Sequence, residues 1–497
     1  MICVSIGRTR HKMVVLEHRA LAERGAELVE LRIDWLSRMP DFSRLLADRL
    51  TPCIVTCRRK SDRGRWRGTE DQRLALLRSA IVAGVEYVDL EDDVAGQIPR
   101  YGETKRIVSH HNFDETPHDL EEVHEKLCAC DPDIVKLVTM ANSPSDIVRM
   151  LQLVDKAKIP TIGFCMGELG VVSRVLCGKY GSPITYATFS SERQMGPGQL
   201  SFDAMRHIYR YDDINADTQV YGVLGDPISH SLSPLIHNTA FREQGINAVY
   251  FPFRVPRDTL PKTLDAYRWL NVQGYSVTIP HKEAALELAS QATDAATAIG
   301  AANTLYRETD ENWTATNTDY DAAMASIRLG LEQHSPGNSY ISGRKVLMLG
   351  AGGVARAIGL GLVRADAGLT ISNRNSDRAK DLAEELGCKH IKWENRGTGF
   401  YDIVVNCTPL GMHPEVDDTP FPVNYFREGM VVFDTVYNPE TTMLLKNARE
   451  RSCTTVSGIE MFVRQAAVQF ELFTGQPAPL DKMREAIREG ISPIRPY

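Results

Sequence analysis

A lysine set within an apolar, β-rich run, Asp133-Ile-Val-Lys136-Leu-Val-Thr139, is the first group in this 497-residue chain whose setting invites chemistry. Burial disfavours an ammonium, and an amine freed in this way can attack a carbonyl to form an imine. The plain structural alternative for Lys136 is a buried salt bridge. His111 ends the run Lys105 to His111 and offers proton transfer near neutral pH. Arg32, Arg58 and Arg174 could grip a carboxylate and orient an acid such as Glu30. Glu30, Arg32 and Asp34 alternate along one expected strand and so share a face, Arg58 closes the next strand, and Glu91 closes the one after it. Taken singly, each is an ordinary ion pair between layers; jointly they imply imine-assisted proton abstraction and elimination on a small keto acid.

A second group lies further on. Gly225-Asp-Pro-Ile-Ser-His-Ser-Leu-Ser-Pro234 places two hydroxyls, Ser231 and Ser233, at an expected helix start. Ser233-Pro234 has the N-cap then proline pattern, so Ser233 has a capping explanation that Ser231 lacks. Two hydroxyls beside a helix N-terminus suit a small carboxylate. Lys282 follows the expected strand Tyr275 to Ile279, and Asp319 ends Thr316-Asn-Thr-Asp319; a lysine and an aspartate in reach of one hydroxyl can pass a proton during carbonyl reduction.

A third pattern, Lys345-Val-Leu-Met-Leu-Gly-Ala-Gly-Gly-Val-Ala355, is a strand running into a glycine turn and then a helix, the context that a dinucleotide fingerprint requires. Gly350, Gly352 and Gly353 would let the backbone approach a pyrophosphate, and Ala355 takes the third glycine's place. After the strand Leu369 to Ser372 an NAD site would carry Asp or Glu; this chain has Asn373-Arg374-Asn375 and Arg378 instead. Guanidinium groups there match a 2′-phosphate, so NADP is favoured over NAD.

These groups must be positioned by recognisable elements. Eight β-rich runs, at 2–6, 28–34, 52–58, 87–92, 105–111, 133–139, 160–166 and 184–188, alternate with segments of helical period such as 71–83 and 145–157. Eight such alternations in about 200 residues predict an α/β fold with an N-terminal (β/α)8 barrel. The aperiodic stretch 210–218 reads as a linker, and 334–339 as a second one. The expected division is a barrel at 1–211, an α/β unit at 219–335, and a Rossmann unit at 340–464. The length alone predicts about three units.

Composition narrows the class. Lys and Arg number 57 against 64 Asp and Glu, a net −7 with no charged block, which disfavours nucleic acid as a partner. With 43% hydrophobic residues and no apolar run approaching the ~18 needed to cross a bilayer, no membrane association is expected. The ten cysteines form no paired CxxC motif and no basic-then-apolar leader precedes Cys3, so the expectation is a reduced, cytoplasmic protein with no metal site.

Glu30-Leu-Arg-Ile-Asp34, Ser109-His-His-Asn-Phe113 with Thr116-Pro117, Asp133-Ile-Val-Lys136, Met166-Gly167 with Ser173-Arg174, and Pro197-Gly-Gln199 resemble type I 3-dehydroquinate dehydratase. The resemblance implies that Lys136 forms the imine, that His111 moves protons, that His110 is not catalytic, and that Ser5, Glu30, Arg32, Arg58, Arg174 and Gln199 contact the substrate. Two positions depart from the family pattern: Asp62-Arg63-Gly64 stands for Glu-Gly-Gly, and Met195 stands for a serine whose hydrogen bond it cannot make.

From residue 220 to about 490 the chain resembles shikimate dehydrogenase, on the Ser-x-Ser-Pro segment, Val277-Thr-Ile-Pro-His-Lys282, Asn317-Thr-Asp319, Gly350-Ala-Gly-Gly353, Asn406-Cys-Thr-Pro-Leu-Gly-Met412, Asp434-Thr-Val-Tyr-Asn-Pro439 and Gly458 to Gln465. This implies Lys282 and Asp319 as the catalytic pair, with Ser231, Ser233, Thr278, Asn303, Tyr437 and Gln465 holding the substrate. It also implies NADP at Ala351, Gly352, Gly353, Asn373, Arg374, Thr408 and Gly458, beside the Arg378 already singled out, and helices at 465–497 that return to cover the substrate unit. Ser276 departs from the asparagine many members carry, and His281 has no derivable role. The product of the first family is the ketone reduced by the second, so the expected protein performs both steps on 3-dehydroquinate, 3-dehydroshikimate and shikimate. Two alternatives remain at this level: a quinate dehydrogenase using NAD in the second half, and an inactive sensor of the same small acids.

Overall fold

The computed structural model describes residues 1–491 apart from 48, 230, 310 and 311, so the expected C-terminal stretch 465–497 is described as far as residue 491. His230, inside the serine-rich segment, lies outside the described residues. The chain divides into two compact units: 1–220 with 247–255 and 261–272, and 221–246 with 256–260 and 273–497.

The first unit is built on eight parallel strands, β1 (Ile2–Ile6), β2 (Leu28–Arg32), β3 (Cys53–Thr56), β4 (Tyr87–Glu91), β5 (Lys105–His111), β6 (Ile134–Met140), β7 (Thr161–Met166) and β8 (Thr185–Thr188). They neighbour one another in the order β7-β6-β5-β4-β3-β2-β1-β8, a barrel closed except at one seam between β7 and β8. Because strand side chains alternate, each strand sends every second residue inward. Cys3, Leu28, Ile54, Ile107, Ile134 and Ile162 form an apolar plug. Two residues further along the same strands, the inward positions become Ser5, Glu30, Thr56, Ser109 and Lys136, all buried. The apolar floor thus supports a polar layer toward the strands' C-terminal ends, where barrel sites form.

Some expected boundaries move. β2 stops at Arg32, and Asp34 lies in the helical turn Ile33–Trp35 rather than on the strand. β3 stops at Thr56, so Arg58 stands past its end. The expected strand Tyr275 to Ile279 is Val272–Val277, which leaves Thr278 in the turn.

In the second unit β9 (Gln219–Gly225), β11 (Val272–Val277), β13 (Thr304–Thr309), β14 (Asn312–Thr316) and β12 (Gln291–Ala292) lie side by side in that order; β10 (Ala248–Arg254) belongs to the first unit. A separate sheet has the order β17-β16-β15-β18-β19-β20, from β15 (Lys345–Leu349), β16 (Gly368–Ser372), β17 (Lys389–Ile391), β18 (Ile403–Asn406), β19 (Val431–Asp434) and β20 (Thr454–Val456). All its pairings are parallel. The order reverses between β15 and β18, and such a switch point opens a crevice at the strands' C-terminal ends. Helices Gly458–Thr474 and Leu480–Ile491 follow and pack on helix Ser233–Glu243.

Candidate active sites

Lys136 sits in the polar layer of the barrel, 4% exposed, as the expected buried salt bridge and at the same time at a cluster of site groups. Its Nζ donates to Asp89 Oδ2 at 2.9 Å, stands 3.8 Å from Glu30 Oε1 and lies 4.0 Å over the Tyr186 ring. Asp89 was not recognised in the sequence; only its position two residues before the singled-out Glu91, hence on the same face of β4, could have indicated it. Its carboxylate also accepts from Arg58 at 2.8 Å and from Ser109 at 2.6 Å. Burial would raise the Asp89 carboxyl, but Arg58, Lys136 and His111 hold it well below the usual carboxylate range.

Glu30 is oriented by hydroxyls rather than by the arginines expected beside it. Glu30 is held by the Ser5 hydroxyl at 2.6 Å and the Thr56 hydroxyl at 2.7 Å. No arginine among the described residues bonds it; Arg32 is occupied by a two-point bond to Asp34, and Arg58 by Asp89 and Glu91. Burial would raise Glu30, and Lys136 with Arg32 pulls it below its ordinary value. Arg174 differs. It is 2% exposed, donates Nη2 to Pro197 O at 3.1 Å and has an unpartnered Nε. No carboxylate among the described residues pairs with it, and burial lowers it to about 10. A buried cation without a counter-ion is suited to an anionic ligand.

His111 closes β5 and stacks on Phe113 at 5.9 Å. Burial, then Arg58 and Lys136, lower its imidazole well below the ordinary histidine value, so it is a neutral base at neutral pH. His110 points instead to Asp92, 3.1 Å away. Gln199 folds its Oε1 onto the amides of Met195 and Gly196 at 2.8 and 3.0 Å. Met195, in place of a serine, covers Gly7 together with Trp35: a Cβ on Gly7 would lie 2.8 Å from Met195 Cε and 2.9 Å from Trp35 Cδ2. Asp62 bonds Arg59 at 2.5 Å.

In the second unit a cleft of about 400 Å³ gathers Ser231, Ser233, Thr278, Lys282, Asn303, Asp319, Tyr437 and Gln465, with Gly458 at its wall. Lys282 begins helix Lys282–Leu288 and Asp319 lies in the first turn of helix Thr318–His334; Nζ and Oδ2 are 2.5 Å apart. Their approach is set by two asparagines. Asn317 caps the Asp319 helix and donates to Ala301 O, and Asn303 Oδ1 accepts the Thr318 N–H at 2.8 Å. The serines exchange their expected parts: helix Ser233–Glu243 starts at Ser233 without a side-chain cap, while Ser231 Oγ accepts the Ser233 N–H at 3.3 Å. Gln465 Nε2 turns back onto Phe462 O at 3.0 Å, and Phe462 stacks on Tyr437 at 4.5 Å. His281 is buried at the start of the Lys282 helix.

Gln469, one helical turn past Gln465, lines the cleft and was missed. It accepts from Ser276 at 2.6 Å and donates to Thr304 at 3.0 Å. The departing Ser276 marked the place, since a shorter side chain there leaves a partner to be supplied from elsewhere.

At the β15 turn, Gly350 has φ 117°, and a Cβ there would lie 2.8 Å from Cys407 O. Gly352 and Gly353 have open space over them at the start of helix Gly353–Arg364, a fit for an anionic group approaching backbone N–H. Ala351 packs against the sheet core. Arg374 and Arg378 are exposed and form no ion pair among the described residues, while Asn373 bonds Asn375 O at 3.0 Å. Thr408 donates its N–H and hydroxyl to Asn406 Oδ1. Gly458 is required sterically, since a Cβ would stand 2.5 Å from Val436 O.

Residues 2–216 match the family model for type I 3-dehydroquinase, 223–305 the shikimate dehydrogenase substrate binding domain, 333–409 shikimate/quinate 5-dehydrogenase, and 458–488 the shikimate 5′-dehydrogenase C-terminal domain. A chloroplastic bifunctional 3-dehydroquinate dehydratase/shikimate dehydrogenase of Arabidopsis thaliana is 37% identical over 96% of this chain and 83% of its own. The NADP(+) shikimate dehydrogenase of Methanothermobacter thermautotrophicus is 39% identical over 56% of this chain and 99% of its own. A shikimate dehydrogenase solved in complex with NADP+ is 34% identical, with a TM-score of 0.52 over 56% of this chain and 98% of that one. Similarity along nearly the full length to a protein that joins both enzymes, with each half matched by its own family models, places the chain in the bifunctional 3-dehydroquinate dehydratase/shikimate dehydrogenase family.

Proposed function

We propose that the barrel dehydrates 3-dehydroquinate at Lys136 and that the second unit reduces the resulting 3-dehydroshikimate to shikimate with NADPH at Lys282 and Asp319. The observation that carries the reading is that each half assembles one lysine-centred site from residues far apart in sequence, Lys136 with Asp89 and Lys282 with Asp319.

In the barrel, the Lys136 amine attacks the substrate ketone and water leaves as the imine forms. Asp89, held well below the usual carboxylate range, accepts the Lys136 hydrogen bond and fixes where the nitrogen stands, while neutral His111 is the base that takes the nitrogen's proton as the attack proceeds. His111 is the neutral group able to take a proton from the carbon beside the imine and return it to the departing hydroxyl. Arg174 supplies the unpaired positive charge for the substrate carboxylate. Hydrolysis of the imine then restores Lys136.

In the second unit Ser231, Ser233 and Asn303 orient the substrate, and the Lys282–Asp319 pair delivers a proton to the carbonyl oxygen as it becomes a hydroxyl. NADPH, when bound, supplies the hydride. Gly352 and Gly353 would admit its pyrophosphate, and Arg374 and Arg378 would pair with its 2′-phosphate. The unpaired arginines favour NADPH over NADH and so weigh against the quinate reading. A three-part division of the chain, with the barrel at 1–211 and the reductase units at 219–335 and 340–464, accords with this scheme. Ten unbonded cysteines accord with a reducing, cytoplasmic setting, and no helix among the described residues is long and apolar enough to cross a membrane.

The test is separation of function. Lys136→Ala should abolish dehydration and leave reduction intact, and Lys282→Ala the reverse, with borohydride and substrate adding ligand mass at Lys136 only. An unmodified Lys136 under turnover, or loss of both activities in either variant, refutes the assignment.

A further inference from the structure

Asp434 ends β19 with no solvent exposure and no cation pairs with it among the described residues. Its carboxylate instead accepts three hydrogen bonds, from three different segments. Oδ1 accepts from Asn406 Nδ2 at 2.8 Å and from the Val436 N–H at 3.0 Å, and Oδ2 accepts from the Thr442 hydroxyl at 2.6 Å. Asn406 is the register partner of Asp434 on β18, at the switch-point edge of the sheet. Its other amide atom, Oδ1, receives both the N–H and the hydroxyl of Thr408. Thr442 caps helix Met443–Glu450.

The consequence is a rigid bracket. On one side it shapes the turn after β18 that carries Thr408. On the other it fixes the Thr435–Tyr437 segment, of which Thr435 and Tyr437 face the cleft. Gly458, which opens the helix bearing Gln465, packs against the carbonyls of Thr435 and Val436, so the same segment also seats that helix. Burying an ionised carboxylate among neutral donors is unfavourable unless hydrogen bonds offset the loss of water; three do so here, and burial still raises this carboxyl, to about 6. An asparagine or threonine would fold more cheaply at a purely structural corner; a carboxylate offers two acceptors at fixed angles and no competing donor.

We propose that Asp434 is a positioning residue for the reduction: through Asn406 and Val436 it holds the Thr408 turn and the Tyr437 segment in one mutual geometry, so that cofactor and ketone meet at a fixed distance. The proposal rests on the assignment of Thr408 to the cofactor and Tyr437 to the substrate. Neither Asp434 nor Asn406 touches the reacting atoms. They act on the alignment of two bound molecules, and misplacement of about 1 Å is enough to lose a hundredfold in rate.

The experiment uses the full-length chain, with dehydratase turnover as the internal control. Asn406→Asp sets two carboxylates face to face and should lower kcat for reduction by about a hundredfold while raising the KM values for NADPH and 3-dehydroshikimate by less than about fivefold. The reciprocal swap, Asn406→Asp with Asp434→Asn, restores one donor facing one acceptor and should recover at least about tenfold of that loss. Dehydration should be unchanged in both. A structural role alone would lower the melting temperature without recovery of kcat in the swap. Equal kcat in Asn406→Asp and the swap, or an Asn406→Asp kcat within threefold of wild type, overturns the proposal. The underlying assignment fails separately: Thr408→Ala with unchanged KM for NADPH, or Tyr437→Phe with unchanged KM for 3-dehydroshikimate, would refute the site reading whatever the bracket does.

Discussion

Replacing Lys136 with methionine keeps the volume of the stem and removes the charge from the middle of the barrel. Two carboxylates feel the loss differently. Asp89 retains Arg58 at 2.8 Å and the Ser109 hydroxyl at 2.6 Å. Glu30 loses the cation 3.8 Å away, its strongest charge partner, and keeps the Ser5 and Thr56 hydroxyls and the weaker pull of Arg32. Breaking a buried pair by removing one partner costs about 3–5 kcal/mol, and the survival of the Arg58 contact puts the expected cost near the lower end, about 3 kcal/mol. For a domain of this size that is a fall of roughly 6–12 °C in the melting temperature of the barrel. The barrel transition is the one that NADP+ does not raise, since a ligand stabilises only the part that binds it. The sign of the pH dependence is a second check. In the wild type, Glu30 titrates below its ordinary value, so its contribution is present at neutral pH and is lost as pH falls through the folded value. Without Lys136, burial dominates and the folded value rises above that of the unfolded chain, so the penalty is full at neutral pH and disappears below about pH 4. The stability gap between the two proteins should therefore be widest at pH 7 and narrow steadily toward pH 4, measured by calorimetry on the full chain. A gap that stays constant over that range, or a variant as stable as the wild type at pH 7, would refute the electrostatic account of the polar layer.

Three further outcomes are expected. Arg374→Glu should raise KM for NADPH by roughly 10–100-fold, the worth of a charge-assisted hydrogen bond, and leave KM for NADH unchanged in steady-state assays. Gly458→Ala drives a Cβ to 2.5 Å from Val436 O, a backbone atom that cannot swing away; it should cost about 1–3 kcal/mol and impair reduction while dehydration persists, as read by melting and both assays. Because His111 is lowered by burial and then by Arg58 and Lys136, the acid limb of the dehydratase kcat/KM profile should lie below pH 6.5. The unfolded chain takes up a proton at His111 near pH 6.5 and the fold resists it, so this residue also erodes stability as pH falls through that value; an acid limb above pH 7 would show that His111 is not the base.

The two sites were legible to different depths. Lys136 and His111 stood out because a charged or titratable residue inside a β-rich apolar run conflicts with its surroundings. The eight residues expected around the reductase substrate all reach one cleft, and most stand at or just past a strand end or at a helix start, places that short-range pattern reveals; Gln465, in the middle of its helix, came from the resemblance. Asp89 was passed over because an aspartate in Tyr-Val-Asp-Leu-Glu looks like any half-buried strand residue until β6 is set two strands away. The partners of the arginines were hidden for the same reason. Arg32 and Arg58 are satisfied by carboxylates of the turn after β2 and of β4, and no spacing in the sequence says which guanidinium is left without a carboxylate among the described residues.

Period and composition by themselves pointed to the elements, the barrel, the Rossmann turn and the candidates for the reacting groups, because these depend on which side chains alternate over a few residues. Tertiary structure decided the pairings: which carboxylate meets Lys136, which arginine keeps its charge unanswered, which serine accepts the N–H of the other, and how Asp434 ties two loops together. Those outcomes depend on distances between strands and helices remote in sequence, where a change of an ångström decides whether a hydrogen bond exists, and a local pattern carries no such distance.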